Sequence, residues 1–417
     1  MPPVYRRPLR YAAGCALALA AAATVSPAWA DPAPSFSTLL ARIGQSPVTL
    51  EAEASLDAAE ARVRQAGVRP NPTLDLSMDS AFGTGPFSGV GNAETTLSMT
   101  QDLELWGRRG ARVDTARAEA GTAALQRDLA MLDTAGRLAL VYAEAEASQR
   151  RFTLAEEALA LVLADASAMM RLVEEGREPL MRGLQAESEA ASARAARDEA
   201  LAERDAGFAR LTAVAMLDAP ATAIPDSLLD RGLANAEAPT GAVPTVRIAE
   251  AEKAAAERRI RVERIRSRPD VSATLGVRRY EAEDATALTV GISLPLPLFD
   301  RNRGNIDAAE AEFRAADARL TQTRQEAQAD RQAATARLAA STSRVSAADA
   351  GVTSAEEAYR LMRIGFEAGR LSQLELSATR AALVNARNAA VDARLARVRA
   401  EIDMARLQGR APFGGTQ

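Results

Sequence analysis

The chain has 417 residues, 51 basic against 55 acidic side chains, a net charge of −4, no histidine and a single cysteine, Cys15. That balance argues against nucleic acid as a partner, and without imidazole the commonest general base and the commonest transition-metal ligand are gone. Aromatic residues make up only 4% of the chain while alanine is abundant, which favours close-packed helices over large globular cores.

Residues 1–30 read as a cleavable export signal. Arg6, Arg7 and Arg10 precede the apolar, Ala-rich run 11–25, and Ala28-Trp29-Ala30 fits an A-x-A cleavage site that leaves Asp31 first. The run is shorter than the roughly 20 apolar residues of a spanning helix. Cys15 lacks a lipidation context, since Ala12 stands where a large aliphatic residue is wanted and the apolar run continues to Ala23. It reads as a small residue lost with the signal, leaving a mature chain without thiol chemistry.

The first repeat, 31–217, opens with an N-terminal helix. Strands are expected at about 72–81 and 94–104 and helices at about 107–174 and 178–217. A Pro/Ala-rich segment, 218–244, carries Pro220, Pro225, Pro239 and Pro244 and reads as a linker or a small packed band. The second repeat, 245–410, has a helix, strands at about 270–279 and 285–296, and helices at about 301–367 and 371–408; 411–417 is a tail.

The strand segments alternate at period two. One face receives Leu74, Leu76 and Met78; Leu97 and Met99; Leu275 and Val277; and Leu288, Val290 and Ile292, with small or polar residues between. Each run is about 9–11 residues, the length of a tilted strand crossing a bilayer, so these ten residues are candidates to face lipid. Trp106 and Phe299, just after strands two and four, are candidate interface aromatics. Two hairpins of an ordinary soluble sheet remain the alternative. If the strands do lie in a membrane, four cannot close a barrel, and neighbouring copies must pair the open edges.

The helical segments step by three and four, through Leu125, Leu129 and Leu132, through Ile306, Ala309, Phe313, Ala316 and Leu320, and through Val391, Leu395, Val398 and Ile402. These are coiled-coil seams. No proline interrupts 108–172, so one helix of about 100 Å fits there at 1.5 Å per residue.

The two halves repeat one another. Arg69-Pro70 matches Arg268-Pro269, Leu105-Trp106-Gly107-Arg108 matches Leu298-Phe299-Asp300-Arg301, and Glu175-Gly176-Arg177 matches Ala368-Gly369-Arg370. Gly107 and Gly176 stand 69 residues apart, as do Asp300 and Gly369, which points to duplication of a rigid unit. The fold expected is mainly α with a small β part, as two tandem units of β-hairpin plus long antiparallel coiled-coil helical hairpin. No nucleophile–base pair, phosphate loop or metal-ligand cluster is legible, so neither an enzyme nor a cofactor is expected.

Signal, duplicated unit and Pro-rich midpoint together resemble the TolC family of outer-membrane efflux proteins, nearest in flavour to its CzcC-like heavy-metal branch. The phrases carrying the likeness are Arg64-Gln-Ala-Gly-Val-Arg-Pro-Asn-Pro72, Leu103-Glu-Leu-Trp-Gly-Arg108 and Gly365-Phe-Glu-Ala-Gly-Arg-Leu371. The resemblance implies a homotrimer in outer-membrane lipid, with a 12-stranded β-barrel and a periplasmic α-helical barrel. It also implies a passive conduit coupled, as one part of a tripartite RND-type system, to a periplasmic membrane-fusion adaptor and an inner-membrane pump. Metal cations, drugs and secreted polypeptides all use such conduits. Gly176, Arg177, Gly369, Arg370 and Leu371 would then be adaptor-docking tips, though the glycines also suit plain helix C-caps. Glu375 occupies the first of two positions where the family often places gating acids, and Ala378 stands at the second; Glu375 is equally readable as a surface carboxylate. A periplasmic adaptor or a poreless coiled-coil scaffold is the competing function. An adaptor would carry one helical hairpin among β-rich domains, and a scaffold leaves the period-two segments unexplained.

Overall fold

The computed structural model of the chain describes residues 32–231 and 242–413. The expected signal at 1–30 with Cys15, residues 232–241 of the Pro/Ala-rich segment, and residues 414–417 of the tail lie outside the described residues.

A short helix, α1 (Phe36–Ala41), and α2 (Pro47–Ala66) precede the first hairpin. α2 starts where it does because Pro47 suits the first helical turn and the Ser46 hydroxyl accepts from the Thr49 N–H. Strands β1 (Thr73–Asp79) and β2 (Glu94–Asp102) lead into α3 (Arg108–Glu174) and α4 (Leu180–Val214). The second half comprises α5 (Pro244–Arg266), β3 (Ser272–Tyr280), β4 (Ala285–Ser293), α6 (Arg303–Glu367) and α7 (Gln373–Leu407). α3 has 67 residues and α6 has 65, each about 100 Å long, while α4 and α7 have 35 apiece. β4 ends at Ser293, short of the expected 296, where Pro295 and Pro297 withdraw two backbone donors.

Along the helices, α2 and α4 pack on α3, α5 and α7 pack on α6, and α3 also meets α5 and α7, which knits the halves together. The seams are built from small side chains. In α6, Leu320, Ala327, Ala334 and Ser341 are buried at seven-residue intervals, the spacing of supercoiled helices.

Midway along α3 a belt forms the main apolar core. Phe36 from α1, Tyr142 from α3, Leu211 from α4, Val398 from α7 and Leu228 and Leu229 from the segment after α4 are all fully buried. Each such side chain contributes about 1.5–3 kcal/mol of transfer free energy. The described part of the Pro/Ala-rich segment is thus a packed strap. The Tyr142 hydroxyl donates to the Asp226 carbonyl at 3.1 Å. The Glu146 carboxylate accepts from Ser227 Oγ at 2.7 Å, Leu228 N at 2.8 Å and Leu229 N at 3.1 Å. These bonds satisfy backbone donors that burial would otherwise leave unpaired. Burial pushes the Tyr142 phenol up to about 12.

The strands make one antiparallel sheet in the order β1-β2-β3-β4, so β2 and β3 join the two repeats.

Candidate functional site

The sheet is inverted relative to one that belongs to a soluble core. Its register sets Leu74 against Met99, Met99 against Leu275 and Leu275 against Val290; Leu76, Leu97, Val277 and Leu288 form the next row. All ten apolar residues singled out by the alternation therefore share one face, and all are exposed, Ile292 at 78% and Leu74 at 73%. The opposite face is polar. There the Thr100 and Thr274 hydroxyls pair at 2.9 Å, and Arg278 donates to Thr96 Oγ1 at 3.0 Å and lies 3.2 Å from Glu94. A sheet of a soluble domain covers its apolar face with helices or a second sheet; here the helices leave it bare, and so large an exposed apolar patch marks a contact surface. Among the described residues no helix is long and apolar enough to cross a membrane, which says nothing against strands doing so.

The two interface-aromatic candidates sit at equivalent places but in unlike surroundings. Trp106 takes φ 65°, its Nε1 donates to the Pro269 carbonyl at 3.2 Å, and the Arg268 guanidinium lies 5.5 Å from its ring centroid. Beside it Arg108 meets Asp270 at 2.8 Å and donates to the Arg268 carbonyl at 2.6 Å. Phe299 is 98% exposed.

At the far end, the two helical hairpins turn through the same motif. Gly176 has φ 73° and Gly369 has φ 69°, in the left-handed region where a side chain is strained. Gly176 N donates to the Val173 carbonyl at 3.0 Å and Arg177 N to Leu172 at 2.9 Å; Gly369 N donates to Phe366 and Arg370 N to Gly365, each at 2.9 Å. These are matched Schellman caps. Arg177 and Arg370 project outward, while Leu371 folds back so closely on Gly365 that a Cβ there would collide with it. Around the turns, Leu180, Met181 and Leu184 on α4 and Leu361, Ile364 and Leu374 on the second hairpin are exposed. The sequence reading did not single out these knobs, although their three- and four-residue spacing was a usable signal.

Glu375 is exposed, but its carboxylate turns back on its own helix, accepting from Ser372 N at 2.9 Å and Ser372 Oγ at 2.8 Å. With Ser372 Oγ accepting from Glu375 N, this is a capping box, and the backbone donor holds the carboxyl below its ordinary range. The ion cluster nearby is elsewhere. Arg380 on α7, 8% exposed, pairs with Asp165 on α3 and with Glu189 on α4 at 2.7 Å. Burial raises the Asp165 carboxyl despite the guanidinium. Seven residues further along α7, Arg387 meets Glu157 on α3 and Glu356 on α6, each at 2.8 Å. Sequence reasoning missed this stitching because the partners of Arg380 lie 215 and 191 residues away; the seven-residue spacing of Arg380, Arg387 and Arg394 was the available hint. Among the described residues no group of three or more acidic side chains is placed to hold a metal ion.

The comparisons with known proteins agree with this geometry. The family model described as "Outer membrane efflux protein" matches residues 42–215 and 242–410. The chain belongs to that family. It is 38% identical to the nickel-cobalt-cadmium resistance protein NccC of Alcaligenes xylosoxydans xylosoxydans over 403 residues, covering 96% of this chain and 91% of that one. It is also 38% identical to the nickel and cobalt resistance protein CnrC of Cupriavidus metallidurans over 71% of each chain. Among solved structures, the MtrE outer membrane channel of Neisseria gonorrhoeae superposes with a TM-score of 0.76 at 19% identity, covering 92% of this chain and 91% of that one. The helical hairpins and the small antiparallel sheet are therefore those of an outer membrane efflux protein. The family is one of conduits.

Proposed function

We propose that three copies of this chain form an outer-membrane conduit that exports divalent metal cations of the nickel, cobalt and cadmium kind, coupled to a periplasmic adaptor and an inner-membrane pump. The observation that carries the reading is the inverted four-stranded sheet, apolar outside and polar inside, set at one end of helices about 100 Å long. A sheet with that polarity is satisfied by lipid on one face and water on the other. Its two open edges require neighbours, because unpaired backbone groups have no partner in hydrocarbon. The choice of cargo rests on relatives named for nickel, cobalt and cadmium resistance.

In this reading residues 1–30 direct export, and the ten apolar strand residues face lipid. The turns at Gly176-Arg177 and Gly369-Arg370-Leu371, with the apolar knobs beside them, dock the adaptor. Glu375 lies four residues beyond Leu371, at the mouth those turns would form. The chain itself supplies no energy and makes no bond; it offers passage.

The test is fractionation of expressing cells, followed by gel mobility with and without boiling. Recovery in the outer membrane, with a heat-sensitive band at about three times the monomer mass, is expected. A soluble periplasmic monomer would end the channel reading. For cargo, a nickel-sensitive strain that keeps its adaptor and pump but lacks their channel should regain growth on nickel when given this chain.

A further inference from the structure

α4 packs on α3, α3 on α7 and α7 on α6, so these four helices form one layer. The strap covers one side of it, through Tyr142, Glu146 and Arg150 on α3 and through Arg394 and Arg397 on α7. A groove of about 550 Å³ opens elsewhere on the same stretch, and it takes Glu144, Ser148 and Arg151 from α3 and Asp392, Ala396 and Arg399 from α7. At about 3.6 residues per turn, these sets lie on the side of each helix opposite the strap. The groove also touches α4 and α6, the two ends of the row, so the layer is curved and the groove lies in its hollow side.

The charges of the groove do not cancel. Arg151 meets Asp392 at 2.5 Å and Arg399 meets Glu144 at 2.8 Å, which matches two arginines to two carboxylates. Arg210 on α4 and Arg344 on α6 also line it; both are exposed, and neither has a hydrogen-bond or ion-pair partner among the described residues. Their own helices offer none. Ala206, Gly207, Ala213 and Val214 stand three and four residues from Arg210, and Ala340, Ser341, Ala347 and Ala348 stand likewise around Arg344. Arg150 and Arg387, on the other side of the layer, are by contrast fully matched to acids. The remaining carboxylate of the lining, Glu203, lies one heptad before Arg210, about 10 Å along the axis. The floor is built from small groups, with Gly207 so near Ser148 that a Cβ would sit 2.7 Å from its Oγ. The arginines thus rim open space.

We infer that this groove binds a small oxyanion carrying more than one negative charge, a polycarboxylate or a phosphate, with Arg210 and Arg344 as its principal partners. A guanidinium fork matches the oxygens of either group. Two uncompensated cations share one concave space, whose walls concentrate an anion there. Arg151 and Arg399 each spend only part of their five donors on Asp392 and Glu144, so they have others to offer. The volume is that of a small-molecule site. Placing the groove in the tunnel rests on the conduit reading: a strap inside would obstruct passage, so the hollow side is the lumen wall. The groove itself lies within one copy and does not depend on that reading. In a trimer the three grooves form a positive girdle, and an anion seated there lowers the barrier that the girdle raises to a divalent cation.

The test titrates citrate and inorganic phosphate in turn, at fixed ionic strength, into the detergent-solubilised full chain, and reads binding by calorimetry. At least one should bind; preference for citrate assigns a polycarboxylate, and preference for phosphate assigns a phosphate group. Arg210→Gln and Arg344→Gln should each weaken binding about fivefold, the upper end for an exposed charge pair, and together about 25-fold. Glu203→Gln removes the one unmatched carboxylate and should tighten binding, an effect that loss of structure would not produce. These exposed substitutions should leave the melting temperature and the heat-sensitive trimer band as they are. Binding of neither anion, or binding unchanged in the double variant, overturns the site. Absence of the trimer band in the natural chain, with binding retained, would instead remove the conduit reading and leave the groove standing.

Discussion

The belt around Tyr142 and the four-stranded sheet place the same kinds of residue in opposite ways. In the belt Leu228, Leu229 and Val398 turn inward, and the polar groups among them are satisfied by Glu146 and by the Asp226 carbonyl. In the sheet Leu76, Val290 and Ile292 turn outward, and the hydroxyls and the Arg278–Glu94 pair face in. On the proposed function, the difference reflects what would solvate each region. A belt in water hides carbon, whereas a sheet set in lipid hides its polar atoms.

That contrast can be broken or sharpened by substitution. Leu228→Ala should have the largest effect, destabilising the helical region by about 2–5 kcal/mol through the cavity it leaves. Denaturant unfolding should show the loss equally in detergent and in vesicles. Val290→Arg should cost about 2–4 kcal/mol, but only where the sheet is in a bilayer. An equal loss in both media would mean that the apolar face is covered by protein. Tyr142→Phe removes the donor to the Asp226 carbonyl and should cost about 1–2 kcal/mol. It should also flatten an alkaline dependence. The phenol is raised from 10 to about 12, so the belt holds its neutral form. That stabilisation is whole below pH 10 and is lost as pH climbs through 12. Thermal melts of the natural chain across that window should fall more steeply than those of the Phe variant. Gly369→Ala, at a tip far from both regions, should cost about 1–2 kcal/mol for forcing a Cβ into the left-handed conformation. It should also weaken capture by an adaptor more than it lowers the melting temperature.

Much of this architecture was legible before any coordinates. Period-two alternation marked the strands, three-and-four spacing marked the helices, and the matched Gly176 and Gly369 marked the turns. Each is a local property, set by how a backbone repeats and by where it needs a residue without a side chain. The halves also announced one another, because a duplicated unit keeps its punctuation. What the sequence could not show was how distant pieces meet. Trp106 and Phe299 looked alike, yet of the two only Trp106 has a hydrogen-bond or cation partner among the described residues. The segment beyond α4 read as a linker or a band, and the chance to seat Leu228 and Leu229 beside Tyr142 made it a strap. Arg380 was one arginine among many until α7 came to lie against α3, within reach of Glu189 on α4. Periodicity tells each segment which face to bury, whereas an ion pair or a packed leucine depends on which other segment arrives there, and only the tertiary structure decides that.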